Sequence, residues 1–428
     1  MISRMKTLLL VFLVAASLLQ TYFLVFSMPK FDSINLSQYV QPDFTGTPET
    51  LEELIFPEQI VLHYGKERHT VLYPRQTAFY DMIFDFVRQR SFDGFKRIGT
   101  TMLNMNWQEI RNKQPGVEIR FRAGVPVQVL QNVMNLKGDL LNETALITRI
   151  WFYERENSEE VKAFFFTDNP LIVYEATKPD LNNKDLERFI GLGENLPNYT
   201  LRETDIYIPE KPLDIVKLTI PYDRLTPTQL QNLLFVDPAN IRNFKDREGS
   251  EIYTDGKRGL QVRSEKLWFT YSDPAPPVEQ RSDIQENLLS AVQFINQHGG
   301  WNGTYAIGRL PSGISVGKQT LMLRQFMESY PIIGAEEDSV GLIRIHIQKG
   351  LVTSYERSMT VMDVRRMERT QQSIPGGQDL EARLALLAEK GSVAGVYPAY
   401  RPQVREKFIE LIPAWAVEYR DGTISLLK

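Results

Sequence analysis

Hydrophobic and polar positions divide the chain into one unbroken apolar stretch near the N-terminus and a long remainder of short alternating segments. The apolar stretch runs from Thr7 to Phe26 without a charged residue. At about 1.5 Å per residue, a helix of this length spans roughly 30 Å, the thickness of the hydrocarbon core of a bilayer. The pattern therefore predicts that residues 1–27 form a short N-terminal tail and a membrane-spanning helix.

Two positive charges, Arg4 and Lys6, lie just before this stretch. Because positively charged flanks stay on the cytoplasmic side, we expect a cytoplasmic N-terminus, a single pass and an extracytoplasmic remainder of the chain in the cell membrane. A cleaved signal peptide is the alternative, and Ala15-Ala16-Ser17 would be its small-residue cleavage site. We favour the uncleaved anchor, because cleavage there would leave a mature chain that begins with exposed hydrophobic residues.

The predicted helix has one polar face. Ser17, Gln20 and Thr21 fall at positions i, i+3 and i+4, with Ala16 at the edge of that face. A glutamine amide in lipid gains most by bonding to another helix, which predicts a partner helix here. The alternative stays open: Ser and Thr hydroxyls bond back to their own helix, and Gln20 is near enough to the outer end to reach the interface.

Beyond the anchor, proline and glycine residues divide the chain into a linker over residues 28–50 and three folded segments, 51–210, 211–277 and 278–428. Alternating segments joined by turns predict hairpins, and a few segments have helical spacing. The fold class expected is α+β, with mostly antiparallel sheets and packed helices. The best-specified helix has Ser282 as its predicted cap, with Gln285 completing a capping box, and ends at Gly299.

The cysteine content and the net charge of the chain exclude several kinds of functional site. The chain has 428 residues, a net charge of −4 and no cysteine. The absence of cysteine excludes disulfides, thiol catalysis and thiolate metal sites. The nearly balanced charge provides no electrostatic footprint for nucleic acid, so we expect no nucleic-acid partner.

One segment matches the pattern of a hydrolase nucleophile. Gly313–Gly317 reads GISVG around Ser315, and Asp338 and His346 follow in the order of a catalytic triad. That pattern needs a strand, a sharp turn and then a helix, whereas Lys318–Phe326 alternates like a strand. We therefore predict a hairpin loop, and an exported serine hydrolase acting on cell-wall material with Ser315 as nucleophile remains the alternative function.

The histidines do not define a metal site. His63 and His69 are predicted to lie opposite each other across a hairpin, as a pair on the surface. Two imidazoles are an incomplete ligand set, and the sequence offers no obvious third ligand. We expect no metal and no cofactor.

Three longer segments carry a resemblance to a known family. They are EIYTDGKRGLQVRSEKLWFTYSDP, YPIIGAEEDSVGLIRIHIQKGLVTSYERSMTVMD and the C-terminal LIPAWAVEYRDG. Together with the N-terminal anchor and the cysteine-free outer portion, they resemble the YycH family. Members of that family are membrane-anchored regulators of the WalK/WalR (YycG/YycF) two-component system in low-GC Gram-positive bacteria.

The resemblance implies a non-enzymatic protein. It implies a three-domain α+β region outside the membrane, and association with a sensor histidine kinase partly through transmembrane helices. The sister protein YycI is expected in the same complex, and cell-wall metabolism is the process that the kinase controls. The family contributes no catalytic residues, and its helix contacts favour a partner helix on the Ala16, Ser17, Gln20 and Thr21 face.

Overall fold

The computed structural model describes residues 6, 10, 13–17, 46–98, 106–138, 140, 145–154, 160–202, 205–274, 283–310, 317–336, 338–387 and 393–427. The chain forms two compact units, Met1–Gln41 and Pro42–Lys428. In the first unit the described residues, 6, 10 and 13–17, are helical. No helix within the described ranges is long and apolar enough to cross a membrane.

A large, mostly antiparallel sheet comes first in the second unit. Its strands are β1 (Gln59–Tyr64), β2 (His69–Leu72), β3 (Ser91–Arg97), β4 (Pro115–Pro126), β5 (Asn135–Leu136), β6 (Leu146–Glu154), β7 (Val161–Thr167), β8 (Val173–Pro179), β9 (Tyr199–Leu201) and β10 (Tyr207–Pro209). Their order is β10-β9-β2-β1-β4-β6-β7-β8-β3-β5. Neighbouring strands run antiparallel, except that β3 and β5 are parallel.

Two further sheets follow. Their strands are β11 (Leu213–Arg224), β12 (Arg242–Lys245), β13 (Glu251–Thr254), β14 (Gly259–Arg263), β15 (Trp268–Ser272), β16 (Thr304–Arg309), β17 (Gln319–Met327), β18 (Tyr330–Pro331), β19 (Leu342–Gln348), β20 (Leu351–Ser358), β21 (Thr360–Met362), β22 (Glu368–Ile374), β23 (Val393–Val404), β24 (Phe408–Tyr419) and β25 (Ile424–Leu426). The second sheet has the order β21-β11-β24-β23, and β22 and β25 pair with β11 and β24. The third has the order β12-β13-β14-β15-β20-β19-β17-β16, and β18 pairs with β17.

Helices cover parts of these sheets. They are α1 (Ala78–Gln89), α2 (Trp107–Lys113), α3 (Val127–Leu130), α4 (Asn183–Leu192), α5 (Pro227–Leu234), α6 (Ile284–Gln297) and α7 (Gly377–Ala385). Each longer helix buries an apolar stripe; in α1 it is Tyr80, Ile83, Phe84 and Val87. The mixture of helices with hairpin-connected sheets confirms the α+β prediction.

The sheets combine strands from different predicted segments. Strand β11 belongs to the segment 211–277, yet it pairs with β24 near the C-terminus. Strand β15, from the same segment, pairs with β20. The boundaries near residues 210 and 277 stay predictions, and the sheets show that strands on both sides of residue 277 are hydrogen-bonded to each other.

Helix α6 differs in detail from its prediction. Its N-cap is Asp283, whose side chain accepts a hydrogen bond from the backbone of Gln285, and Ser282 lies outside the described residues. An aspartate caps as well as a serine, so one residue of shift leaves the helix intact. Gly299 follows with a φ of +105°, the left-handed conformation expected where a helix stops.

The chain enters the second unit along the end of α6. Gly46 donates to the carbonyl of Gly299, and Thr47 exchanges two backbone hydrogen bonds with Trp301. Asn296 accepts from the backbone of Glu49 at 3.1 Å and donates back to its carbonyl at 2.9 Å. We call residues 46–50 the entry strap, because they tie the chain that leaves the N-terminal unit to α6.

Candidate functional site

The predicted anchor residues are only partly described. Ala16 and Ser17 are helical, as is Lys6, whose side chain is exposed. Gln20, Thr21 and Arg4 lie outside the described residues. The polar face and the topology-setting charges therefore stay predictions.

The hydrolase pattern does not have the context that it needs. Ser315 lies outside the described residues, but strand β17 begins at Gln319 and pairs antiparallel with β16. A strand therefore stands where a nucleophile elbow requires a helix. The other two residues of the proposed triad have different partners: Asp338 pairs with Arg263 at 2.6 Å, and His346 accepts or donates a hydrogen bond at Thr320.

The most unusual chemistry lies on one face of β4. Alternate residues Val117, Ile119 and Phe121 point into the hydrophobic core, which leaves Glu118, Arg120 and Arg122 on the opposite face. A charged face on a strand is ordinarily solvated, but Glu118 is fully buried. Strand pairing places Arg149 of β6 opposite Arg120, and the side chain of Arg111 in α2 contacts the carboxylate of Glu118.

Glu118 is surrounded by positive charge. Its carboxylate lies 3.3 Å from Nε of Arg111, 3.2 Å from Nη2 of Arg120 and 3.6 Å from Nη1 of Arg149. Burial alone would raise the pKa of Glu118, but the guanidinium groups of Arg111 and Arg120 hold it well below its usual range. A buried carboxylate is thus ionised and compensated by several hydrogen-bonded cations.

The two histidines of the first hairpin join this cluster. His63 and His69 pair across β1 and β2 as predicted, but both are fully buried, so the prediction of a surface pair is wrong. Their Nδ1 atoms are 3.0 Å apart, and Nε2 of His63 is 3.4 Å from Glu118. Burial lowers the pKa of His63, and burial together with His63 lowers that of His69 to about 3, so both rings are neutral.

A second carboxylate reaches the cluster from a hairpin tip. Asp205 lies between β9 and β10 and has a φ of +65°, an uncommon conformation for a residue other than glycine. Its carboxylate is 3.0 Å from both Arg111 and Arg120, and it pairs closely with Arg149. Burial would raise the pKa of Asp205, but Arg149 and Arg111 lower it, so this side chain is also ionised.

A cavity of about 230 Å³ adjoins the cluster. Its walls come from the first sheet, from the β9–β10 hairpin tip and from the second and third sheets: Arg120, Arg122, Arg149, Asp205, Tyr207, Phe326, Val396, Tyr397 and Glu418 are among the lining residues. We call it the central cleft. The first sheet and the hairpin tip contribute charged side chains to its walls, and β23 contributes Val396 and Tyr397.

Arg122 spans the central cleft. Its guanidinium lies 3.6 Å from the ring centroid of Tyr397 and 3.4 Å from Glu418, which belong to β23 and β24. On its own side, the Arg122 side chain is 3.7 Å from Glu58. Burial raises the pKa of Glu58, and the charge of Arg122 opposes that shift. Arg122 thus connects the first sheet to the second.

Sequence reasoning missed this cluster. The alternation Glu118, Arg120, Arg122 in one strand is visible in the sequence, as is Arg149 in a neighbouring strand. Nothing local indicates that this face is covered. Within the described part of the chain, no group of three or more potential metal ligands is close enough to hold an ion. Guanidinium groups such as those of Arg120 and Arg149 are suited to bind anionic groups.

Comparison with known proteins identifies relatives over nearly the whole chain. Residues 3–189 match the family model described as YycH protein, N-terminal domain, and residues 203–427 match YycH protein, C-terminal domain. A Bacillus subtilis (strain 168) protein described as two-component system WalR/WalK regulatory protein YycH is 18% identical over 99% of this chain and 96% of its own length. The crystal structure of YycH from Bacillus subtilis matches with a TM-score of 0.69 at 16% identity, covering 90% of this chain and 99% of that one.

Proposed function

Because the chain belongs to the YycH family, we propose that it is a non-enzymatic regulator of a WalR/WalK-type two-component system. The observation that carries the proposal is the match to both family domains, together with the regulatory description of a relative aligned over nearly its full length. We expect the sensor histidine kinase to be the direct partner and a YycI-like protein to be the second. The process regulated is cell-wall metabolism.

The same proposal includes a membrane anchor. The uncharged run from Thr7 to Phe26 supports a single pass, and Arg4 and Lys6 support a cytoplasmic N-terminus. The folded unit then lies outside the cytoplasm. In this arrangement the entry strap is the described part of the folded unit that is nearest in sequence to the anchor.

Contact with the kinase is proposed to involve the polar face of the anchor. Ser17, Gln20 and Thr21 offer hydrogen bonds, and Ala16 allows close approach of a second helix. Such interhelical bonds contribute about 1 kcal/mol each. Two or three of them are enough to bias a kinase whose active and inactive states differ by a few kcal/mol, without locking it in either.

The test replaces Ser17, Gln20 and Thr21 together by Leu in the full chain. We expect less kinase to co-purify from membranes, and kinase output to move to the level of a strain that lacks the protein. On a helix of 3.6 residues per turn, Leu8 and Leu19 fall on the opposite side. The matched control replaces these two by Ile, which retains apolarity and volume and should leave association unchanged.

Unchanged association and output in the triple-Leu variant would remove the polar face from the proposal. Regulation itself would then depend on the outer unit, and deletion of the anchor would distinguish the two cases.

A further inference from the structure

The buried cluster beside the central cleft contains more guanidinium groups than carboxylates. Among the described residues of the buried cluster, three guanidinium groups, those of Arg111, Arg120 and Arg149, share Glu118 and Asp205. Burial, joined by the charge of Arg111, lowers the pKa of Arg149. On the β23 side, burial also lowers the pKa of Arg324, which lies near Tyr397. Retaining uncompensated cations in a buried place is costly unless an anion joins them.

The two carboxylates that pair with the arginines, Glu118 and Asp205, differ in burial and in their position in the fold. Glu118 is fully buried on a central strand and cannot leave without disrupting the sheet. Asp205 has a side chain that is 37% exposed and stands on a hairpin tip. That tip is closed by backbone hydrogen bonds between Arg202 and Ile206 and from Asp205 to Arg202. Among the described residues, strand pairing joins its hairpin to β2 at one position, His69 and Tyr199, and the Tyr207 ring packs edge-on against His69. Asp205 is therefore the replaceable anion of the cluster.

The side chain of Asp205 lies at the wall of the central cleft. Arg120, Arg149 and Asp205 all line it, and Nε of Arg120 is buried without a hydrogen-bond partner. A planar guanidinium binds carboxylate and phosphate oxygens through paired hydrogen bonds, so two adjacent arginines are suited to an oxyanion. The remaining walls include Phe326, Val396 and Tyr397, which provide an apolar surface for the rest of a small molecule.

We propose that the central cleft binds a small organic oxyanion, a carboxylate or phosphate on an apolar body, whose oxygens take the place of Asp205 on Arg120 and Arg149. In the free protein, the Asp205 carboxylate occupies the position on Arg120 and Arg149 that the ligand's oxygens would take. Binding frees the carboxylate of Asp205, and residues 210–212 alone separate β10 from β11 of the second sheet. Ligand occupancy is thereby linked to the sheet that contains β23 and β24. The inference does not depend on the kinase contact.

Anion titration of the full chain in detergent tests the proposal. The probes are inorganic phosphate and benzoate, each at constant ionic strength against sodium chloride, and the readouts are calorimetric binding and the thermal midpoint. We expect saturable binding that raises the midpoint, with the phosphate and benzoate arms deciding which oxyanion is preferred. Asp205→Asn removes the competing charge and should bind the better probe about tenfold more tightly.

Three comparisons decide the outcome. Arg149→Gln should abolish the saturable effect, whereas Arg365→Gln, at an exposed arginine outside the cleft, should retain it. A general salt effect, equal in the wild type, Arg149→Gln and Arg365→Gln, would overturn the proposal. An Asp205→Asn protein that neither probe binds or stabilises would also overturn it, and would show Asp205 to be a fixed structural ion-pair partner.

Discussion

At the residue scale, the cluster around Glu118 depends on neutral histidines beside an ionised carboxylate. The fully buried rings of His63 and His69 are hydrogen-bonded to each other, and three arginines crowd the carboxylate that they face. A proton added to either ring would bring another positive charge to a site that already contains guanidinium groups without full compensation. The pair therefore stabilises the fold only while it is uncharged.

The pH dependence of stability follows from this arrangement. Because burial lowers the pKa of His63 and His69, below about pH 6.5 the unfolded chain binds protons that the folded chain does not. The free energy of unfolding should therefore decrease as pH falls from 6.5, by about 1.4 kcal/mol per pH unit for His69, and His63 contributes in the same direction. Chemical denaturation between pH 7.5 and 4.5 measures this slope.

Single substitutions test whether the pH dependence of the free energy of unfolding comes from His63 and His69. His69→Gln should make the dependence on pH shallower, since one buried site no longer takes up a proton on unfolding. The control is His346→Gln, at a partly exposed ring beside Glu356. Equal slopes in the wild type and His69→Gln would contradict the account of the buried pair.

Residue types alone could not reveal the site. The hairpin register that pairs His63 with His69 was predictable, because a short loop and alternating residues fix it locally. The burial of that pair was not. Helix α2, the β9–β10 hairpin and strand β23 cover this face from positions far along the chain, and strand periodicity reports which residues share a face without reporting what covers that face.

At the element scale, local sequence rules account for several helix ends and turns. Thr226 caps α5 with Gln229 in a reciprocal capping box, and Asp421-Gly422 lies in the turn between β24 and β25. Helix α6 departs from a simple apolar stripe, because Leu289 is exposed while Asn287 is fully buried. Asn287 donates to Gln319 and accepts from Gly350, a long-range pairing that no helical pattern could indicate.

The entry strap is the element that the account relies on for linkage. Asn296 of α6 bonds to both backbone groups of Glu49 and accepts from the indole of Trp301 at 2.7 Å. We expect Asn296→Ala to cost about 1–3 kcal/mol, because three partly buried hydrogen bonds are lost. Limited proteolysis should show faster cleavage at residues 46–50.

The comparison variant is Gln293→Ala, at an exposed position on the same helix. It should match the wild type in cleavage rate and stability, since alanine is a good helix former. If Asn296→Ala left the cleavage rate at residues 46–50 unchanged, the strap would not depend on α6, and its role as a link would be lost.

At the scale of the whole molecule, the chain consists of two compact units. The unit Pro42–Lys428 has its three sheets joined by shared contacts. Arg122 reaches from the first sheet to the second, and Ile333 of the third sheet region donates to Tyr400 of β23. A change at the central cleft thus has a continuous path through packed strands. The unit Met1–Gln41 carries the anchor that sequence periodicity predicts.

We propose that the anchor contacts the kinase and that the folded unit binds the oxyanion in the central cleft. The family assignment supports the regulatory role, and the uncharged run from Thr7 to Phe26 supports the anchor. If this is right, the folded unit without its anchor should retain its stability and its anion site, yet have no influence on the kinase.

The most direct measurement compares the full chain with a chain that lacks residues 1–27, each expressed in cells and isolated from membranes with the sensor kinase. The account predicts that the full chain fractionates with the membrane and co-purifies with the kinase, and that the shortened chain, exported by a cleavable leader, does neither and leaves kinase output as in cells without the protein. Two results would contradict this account. One is that expression of the complete gene yields a soluble protein that has lost its first two dozen residues. The other is that both chains associate equally with the kinase.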